Sequence, residues 1–179
     1  VYEQRHHLGG MLRYGIPDYR LPNDILDRDI QYILDTGVNV ILNTNIGEDM
    51  SIDELKAKYD AVYMSIGAHD DKKLKLAGED APNVYSAVEL LRAIGEDEAP
   101  NLKGKKVVVV GGGNVAMDAT RSTLRLGASS VTCVYRRRIA DMTALPEEIA
   151  EAQAEGVKIR TLLAPDHIEL DKKTKRAKA

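Results

Sequence analysis

Lys106-Val107-Val108-Val109-Val110 is an apolar run typical of a buried strand, and Gly111-Gly112-Gly113-Asn114-Val115-Ala116 follows it without a gap. The second run has the G-x-G-x-x-A pattern of a strand–turn–helix unit that binds the pyrophosphate of a dinucleotide. Gly111 permits the tight turn, Gly113 lets a pyrophosphate approach the backbone, and Ala116 lets the helix pack closely on the sheet. The two runs together predict a nucleotide-binding turn.

A helix pattern starts at Ala116 and ends near Gly127, with small and apolar residues at helical spacing. The free N–H groups and the partial positive charge of its first turn favour a bound phosphate. We therefore expect the cofactor to contact Gly111, Gly112, Gly113, Asn114, Val115 and Ala116. The alternative is a glycine-rich strand-to-helix turn that binds nothing.

The next predicted strand, Ser130–Tyr135, is followed by Arg136, Arg137 and Arg138. In NAD-specific folds this position usually holds Asp or Glu, which binds the adenosine ribose hydroxyls. A carboxylate repels a 2′-phosphate, whereas guanidinium groups bind it through paired, charge-assisted hydrogen bonds. The arginines therefore predict NADP(H) rather than NAD(H). The alternative is a solvated surface turn, the usual setting for a run of charges.

Composition excludes several functions. The chain has 179 residues, 44% of them hydrophobic, and a net charge of −3. It therefore has no basic field of the kind that attracts nucleic acid. Its apolar runs are too short to cross a bilayer, so we expect no membrane partner.

Cys133 is the only cysteine. A single cysteine excludes an intrachain disulfide, a C-x-x-C redox pair and an iron–sulfur cluster built by this chain. Its place in a predicted buried strand suits the reducing cytoplasm, where we expect the protein to reside. His6 and His7 are adjacent, and His69 and His167 have no partner at ligand spacing, so we expect no metal site.

Strands and helices alternate along the chain. Expected strands end at residue 3 and cover residues 38–42, 61–66, 106–110, 130–135 and 157–163. Expected helices cover 23–35, with Asn23 or Asp24 as its N-cap, a short segment opened by the capping box at 51–54, a segment from 86 to about 95, and 146–155. Residues 13–21 are expected to be irregular, 96–105 to be a linker, and 168–170 to begin a hairpin. The alternation predicts an α/β fold with parallel sheets and helices on both faces.

Taken together, these motifs resemble the glutamate synthase small-subunit (beta chain) family of FAD- and NADPH-dependent oxidoreductases. The resemblance covers almost the whole chain, and its most specific part is the run Gly9-Gly10-Met11-Leu12-Arg13-Tyr14-Gly15-Ile16-Pro17. The other matching stretches are Val1–Glu3, Asn43–Gly47, Ala61–Gly67, Gly78–Asp80, Gly111–Ala116 with Asp118, Tyr135–Arg137 and Pro146–Glu148.

The resemblance implies a Rossmann-like fold of two domains, a flavin domain interrupted by an NADPH domain. Residues 1–70 would be a partial FAD-binding domain, 71–103 a connecting segment, and 104–179 an NADPH-binding domain truncated at its C-terminus. NADPH would be selected by Arg136 and Arg137. FAD would contact an incomplete site of Glu3, Gly9, Gly10, Met11, Leu12, Gly15, Ile16, Ile46, Ser65, Ile66 and Gly67.

Three of these positions have specific roles implied by the resemblance. Glu3 is similar to the acid that holds the adenosine ribose of the flavin. Ile46 is similar to the residue whose backbone meets the adenine, and Ser65–Gly67 to the passage near the pyrophosphate.

The family pattern includes segments that these residues do not contain: a first strand and glycine loop for the flavin, and a cysteine-rich iron–sulfur region. We therefore expect a fragment that binds FAD weakly or not at all but retains affinity for NADP(H). In the intact enzyme the resemblance implies hydride transfer from NADPH to FAD. Electrons would then pass to an iron–sulfur domain or a large subunit.

Two alternatives stay open: a non-catalytic nucleotide-binding or electron-partner docking module, and a subunit of an NADH-dependent ferredoxin:NADP oxidoreductase. No catalytic residue is predicted. For Asp118 and Arg121, on the nucleotide helix, a helix-capping or surface role is at least as well supported as a cofactor contact.

Overall fold

The computed structural model describes residues 1–69 and 72–178, which form two compact units divided near residue 70. The expected domain ends at residues 70, 71 and 179 lie outside the described residues. Residues 1–69 make up the first unit and residues 72–178 the second.

The first unit contains three helices: α1 (Met11–Tyr14), α2 (Asn23–Leu34) and α3 (Ile52–Lys58). The expected capping box is confirmed, because the Ser51 hydroxyl accepts from the Glu54 N–H and the Glu54 carboxylate accepts from the Ser51 N–H. Two expectations were wrong. Residues 13–21, expected to be irregular, contain the end of α1, and α2 has Pro22 rather than Asn23 or Asp24 at its N-cap.

The expected strands of this unit are much reduced. One strand was expected to end at residue 3 and another to cover 38–42. In their place the structure has a single parallel bridge between Tyr2 and Ile41. Residues 61–66 join no ladder with the described part of the unit, and Tyr63 is 92% exposed. An apolar run becomes a strand only where a neighbouring backbone pairs with its N–H and C=O groups.

The second unit is built on a parallel sheet of β1 (Lys106–Val110), β2 (Ser130–Tyr135) and β3 (Lys158–Thr161), in that order. Its helices are α4 (Ala87–Gly95), α5 (Asn114–Arg125) and α6 (Pro146–Ala154), with a short 3-10 helix at Ile139–Asp141. The expected strand–helix–strand unit is thus confirmed. The register places Val110 beside Val134, so the ends of β1 and β2 meet at one edge of the sheet.

The core of this unit lies between one face of the sheet and the helices α5 and α6. Its most buried members are Met117, Val131, Cys133 and Ala152. The opposite face carries Val108, which is 65% exposed, so helices on both faces are not found among the described residues. Strand alternation places Val110 on that exposed face as well.

The end of the chain pairs with residues that precede α4. The Ile168 N–H donates to the Ala77 carbonyl at 2.8 Å, and the Asn83 side chain exchanges two hydrogen bonds with the Ala177 backbone. Leu170 and Ala177 form an antiparallel bridge, which confirms the expected hairpin. Residues 77–83 and 168–177 are therefore joined within the second unit.

Candidate dinucleotide site

The glycine bend begins as β1 ends. Gly111 has a φ of +155°, donates its N–H to the Val134 carbonyl at 3.0 Å and accepts from the Cys133 thiol at 3.2 Å. A Cβ on Gly111 would lie 3.1 Å from the Cβ of Ala116. The turn therefore needs a glycine at one position and a small residue at the other, in agreement with the packing role predicted for Ala116.

Gly112 is required for a reason that the motif does not reveal. A Cβ built on it would lie 2.6 Å from two ring carbons of Tyr135, so the backbone passes directly against the aromatic ring. The Tyr135 hydroxyl donates to the Asp141 carbonyl at 2.8 Å. One side chain therefore supports the bend with its ring and the 136–141 loop with its hydroxyl.

Unpaired donors collect at the start of α5. The backbone N–H groups of Gly112, Gly113, Asn114 and Val115 donate to no atom of the described residues. The Gly113 carbonyl accepts from the Ala116 N–H at 3.0 Å, which closes the first turn of α5. Amides at a helix N-terminus, with the positive end of the helix dipole, form a ready anion site.

These groups line an open cavity of about 320 Å³ in the second unit. Its walls are Ala87, Val110, Gly111, Gly112, Gly113, Asn114, Val115, Ala116 and Thr143. The structure thus brings all six residues predicted from the glycine motif into one concave surface. A Cβ on Gly113 would lie 3.3 Å from the Thr143 hydroxyl oxygen, so this glycine keeps the space between bend and Thr143 open.

The 143–145 segment is fastened to the bend by two hydrogen bonds. The Ala144 N–H donates to the Gly112 carbonyl, and the Leu145 N–H donates to the Asn114 side-chain oxygen, both at 3.0 Å. Asn114 therefore uses its side-chain oxygen to hold this segment, and its backbone N–H, which has no acceptor among the described residues, is left as a donor at the cavity. Sequence reasoning missed Thr143 and Ala87, because no motif connects them to the glycine turn.

The three arginines fall into two groups. Arg136 and Arg137 are exposed at the carboxyl end of β2, the sheet edge at which the glycine bend also lies. Neither side chain forms an ion pair within the described residues. Arg138 instead forms a two-pronged ion pair with Asp141, Nε to Oδ2 at 2.9 Å and Nη2 to Oδ1 at 2.8 Å.

Asp118 and Arg121 are neither caps nor surface residues, which corrects that expectation. They are 5% and 7% exposed. The Arg121 guanidinium forms ion pairs with three carboxylates of α6 or its end, at 3.2 Å to Glu148, 2.6 Å to Glu151 and 2.8 Å to Glu155. Arg121 therefore joins α5 to α6, and no cofactor contact is needed to explain it.

Burial of Cys133 raises the pKa of its thiol to about 11. The side chain has no exposed surface and is protonated at neutral pH. Among residues 1–69 and 72–178, no group of three or more His, Cys, Asp or Glu side chains could hold a metal ion. The helices of the described residues are all too short or too polar to cross a membrane.

The residues predicted for the flavin lie in the first unit, in four separate stretches: Glu3, 9–16, Ile46 and 65–67. The Glu3 N–H donates to the Ile41 carbonyl at 3.0 Å, and the Glu3 carboxylate accepts from the Arg5 N–H at 2.8 Å. Ile46 forms a bridge with Met50. The Thr44 N–H donates to the Glu3 carbonyl at 2.9 Å, so Glu3 lies beside residues 41–44. Ser65 and Ile66 make no hydrogen bond within the described residues of the unit.

A second stretch surrounds α1. It contains Gly9, Gly10, Met11, Leu12, Gly15 and Ile16. A Cβ on Gly9 would lie 2.9 Å from Leu26, and one on Gly15 would lie 2.4 Å from Met11. A Cβ at either position would force the neighbouring side chain to shift, and the φ of +119° at Gly9 also favours a glycine there. Gly10, with a φ of +52°, faces open space.

The chain belongs to the pyridine nucleotide-disulphide oxidoreductase family, whose pattern matches residues 3–178. Within that family it is 44% identical, over 174 residues, to the NADP(+)-dependent formate dehydrogenase subunit beta of Moorella thermoacetica. It is 38% identical over 173 residues to a putative glutamate synthase [NADPH] small chain of Cereibacter sphaeroides. The resemblance predicted from the motifs is confirmed.

The alignments cover most of this chain but a minor part of each relative. They span 96% of the chain and 25% of the Moorella protein, and 92% of the chain and 42% of the Cereibacter protein. Among solved structures, Mycobacterium tuberculosis FprA in complex with NADPH matches 97% of this chain and 54% of its own, with a TM-score of 0.77 at 23% identity. That likeness confirms the Rossmann-like α/β fold.

Proposed function

We propose that this chain is the nucleotide-binding part of an NADPH-dependent flavin oxidoreductase similar to the glutamate synthase small subunit. In this proposal NADPH lies on the Gly111–Ala116 bend, and Arg136 and Arg137 bind its 2′-phosphate. The observation that carries it is the meeting, at one sheet edge, of unpaired backbone amides with two exposed arginines. The names of the relatives, which refer to NADPH or NADP(+), support the same cofactor.

The fit of a pyrophosphate rests on the shape and charge of the bend. Four consecutive amides that have no acceptor among residues 1–69 and 72–178 line the cavity, and a Cβ at Gly113 would narrow it toward Thr143. Asn114 holds the 143–145 segment in place, so these donors are fixed before a ligand arrives. Donors that need no rearrangement bind an anion at lower entropic cost.

In the whole enzyme the bound cofactors would supply the chemistry, which is hydride transfer from nicotinamide to FAD and onward electron transfer. This chain contributes binding and orientation. Residues 1–70 are proposed as part of the FAD-binding domain, 71–103 as the connection, and 104–179 as the NADPH-binding domain. The flavin would be held by Glu3 and the stretches around Gly9–Ile16, Ile46 and Ser65–Gly67.

The partners of the whole protein are also part of the proposal. An iron–sulfur domain or a large subunit would take the electrons. The single buried thiol of Cys133 suits a reducing compartment, and we propose a cytoplasmic location.

Calorimetric titration of the chain with NADPH and with NADH tests the proposal. We expect NADPH to bind at least about tenfold more tightly, the value of one strong charge-assisted contact. The double variant R136M/R137M should lose that preference. The matched control is K172M/K173M, which removes two exposed positive charges from the hairpin of the same unit. Equal affinities for NADPH and NADH in the unaltered chain would refute the role of the arginines.

A further inference from the structure

Arg138 and Asp141 are joined by several hydrogen bonds within one short turn of the second unit. The Asp141 carboxylate accepts from the Arg138 backbone N–H at 3.2 Å, from Nε at 2.9 Å and from Nη2 at 2.8 Å. The Asp141 N–H in turn donates to the Arg138 carbonyl at 3.0 Å. These four bonds close the short 3-10 turn on itself.

The closed turn is tied to the glycine bend and to the sheet. The Tyr135 hydroxyl donates to the Asp141 carbonyl, and the Tyr135 ring lies against Gly112. The Leu162 N–H donates to the Arg137 carbonyl at 3.1 Å. The backbone that carries Arg136 and Arg137 is therefore fixed on both sides, whereas their side chains extend into solvent.

Asp141 places a negative charge beside the arginines that are proposed to bind a phosphate. The Arg138 hydrogen bonds hold the pKa of Asp141 below its usual value, and the charge of Arg137 lowers it further. The carboxylate is thus ionised at neutral pH and within electrostatic reach of Arg137. Uncovered, it would repel a 2′-phosphate, as the acid of NAD-specific folds does.

We propose that Arg138 and Asp141 are a positioning pair that sets the preference for the 2′-phosphate. Arg138 covers the carboxylate with its guanidinium, and Asp141 fixes the turn that follows Arg136 and Arg137. This inference rests on the proposed NADPH site. It assigns Arg138 a different role from its two neighbours, although all three are arginines in one run.

The test compares the binding of 2′,5′-ADP and of 5′-AMP to the chain by calorimetry, since these probes differ only in the 2′-phosphate and need no flavin. In R138A we expect the Kd for 2′,5′-ADP to rise about tenfold, as expected for an uncovered charge near a phosphate. The Kd for 5′-AMP should stay the same. In R138A/D141N most of the lost affinity should return, because the repelling charge has been removed.

The control is R28A, which removes an exposed arginine that is paired with a neighbouring aspartate, Asp29, at 3.4 Å in the first unit. It should change neither Kd. Because Arg138 is 73% exposed, its removal should leave the melting temperature within about 3 °C of the unaltered chain.

Four other outcomes are possible, and each would contradict either the proposed role of the pair or the proposed NADPH site. If R138A weakens both probes equally, the pair only maintains the local structure. If R138A/D141N stays as weak as R138A, Arg138 is itself a phosphate ligand. If R138A changes neither Kd, the pair has no role in selectivity. If the unaltered chain binds 2′,5′-ADP no better than 5′-AMP, the proposed NADPH site fails.

Discussion

Replacing Arg121 with methionine tests how α6 is held against the nucleotide-binding helix. Methionine keeps most of the side-chain volume but removes the guanidinium, which faces Glu148, Glu151 and Glu155. The removal of one partner of a buried ion pair costs about 3–5 kcal/mol, and of an exposed pair about 0–1 kcal/mol. Only Glu148, at 10% exposure, is buried with Arg121, because the other two carboxylates are 57% and 28% exposed.

We therefore expect R121M to lower the free energy of unfolding by about 3–4 kcal/mol, the lower part of the range for a buried pair. Urea unfolding at pH 7, followed by far-ultraviolet circular dichroism, measures this change. R125M is the matched control: Arg125 also pairs with Glu155, but it is 41% exposed, so the expected loss is about 1 kcal/mol or less.

The double variant R121M/E148Q separates charge from packing. If a buried carboxylate without its cation causes the loss, the neutral amide should restore at least half of it. A result in which R121M is no more destabilised than R125M would show that the α5–α6 contact does not depend on the buried guanidinium.

Three further predictions follow from the site and its surroundings. Gly112→Ala should lower the free energy of unfolding in urea by about 1–3 kcal/mol, because its Cβ would meet the Tyr135 ring. Gly113→Ala should fold normally but bind NADPH more weakly in a titration. Equal free energies of unfolding for the two variants would contradict this prediction. Cys133 should not react with a thiol reagent at pH 8 in the folded chain, but it should react once the chain is unfolded in urea at about 8 M. Rapid labelling of the folded protein would contradict the burial of this side chain. The Arg125 hydrogen bond lowers the pKa of Glu155 below 4.5 in the folded state. Ionised Glu155 therefore stabilises the fold above pH 4.5, and this stabilisation is lost as the pH falls through the folded-state pKa. The free energy of unfolding of E155Q should therefore fall less steeply than that of the unaltered chain as the pH is lowered below 4.5. An equal slope for the two proteins would contradict the role of Glu155.

The sequence predicted well those elements that depend on residues close together along the chain. The capping box at Ser51 and Glu54 and the strand–turn–helix at residues 106–125 depend on local hydrogen bonds and periodicity. The strands expected at 38–42 and 61–66 have equally apolar sequences, but a strand also needs a partner distant in the chain. Periodicity alone contains no information about that partner, and this is where the prediction failed.

The same distinction applies to the site. The motif identified the residues of the bend, because their spacing alone is enough to indicate a turn before a helix. It did not identify Thr143, and it did not indicate that Arg138, the third arginine of the run, is paired with Asp141. Which arginine is engaged depends on the 3-10 turn at 139–141, and no sequence signal predicted that turn.

The three adjacent glycines are alike in sequence but differ in what requires them. Gly111 is held by the closeness of Ala116, Gly112 by the ring of Tyr135, and Gly113 by the cavity that it keeps open. Only the last requirement concerns a ligand directly. Because Tyr135 also donates to Asp141, the middle glycine couples the phosphate-binding bend to the loop proposed to read the 2′-phosphate. Pyrophosphate binding and cofactor selectivity are therefore expected to depend on one another through this single aromatic side chain.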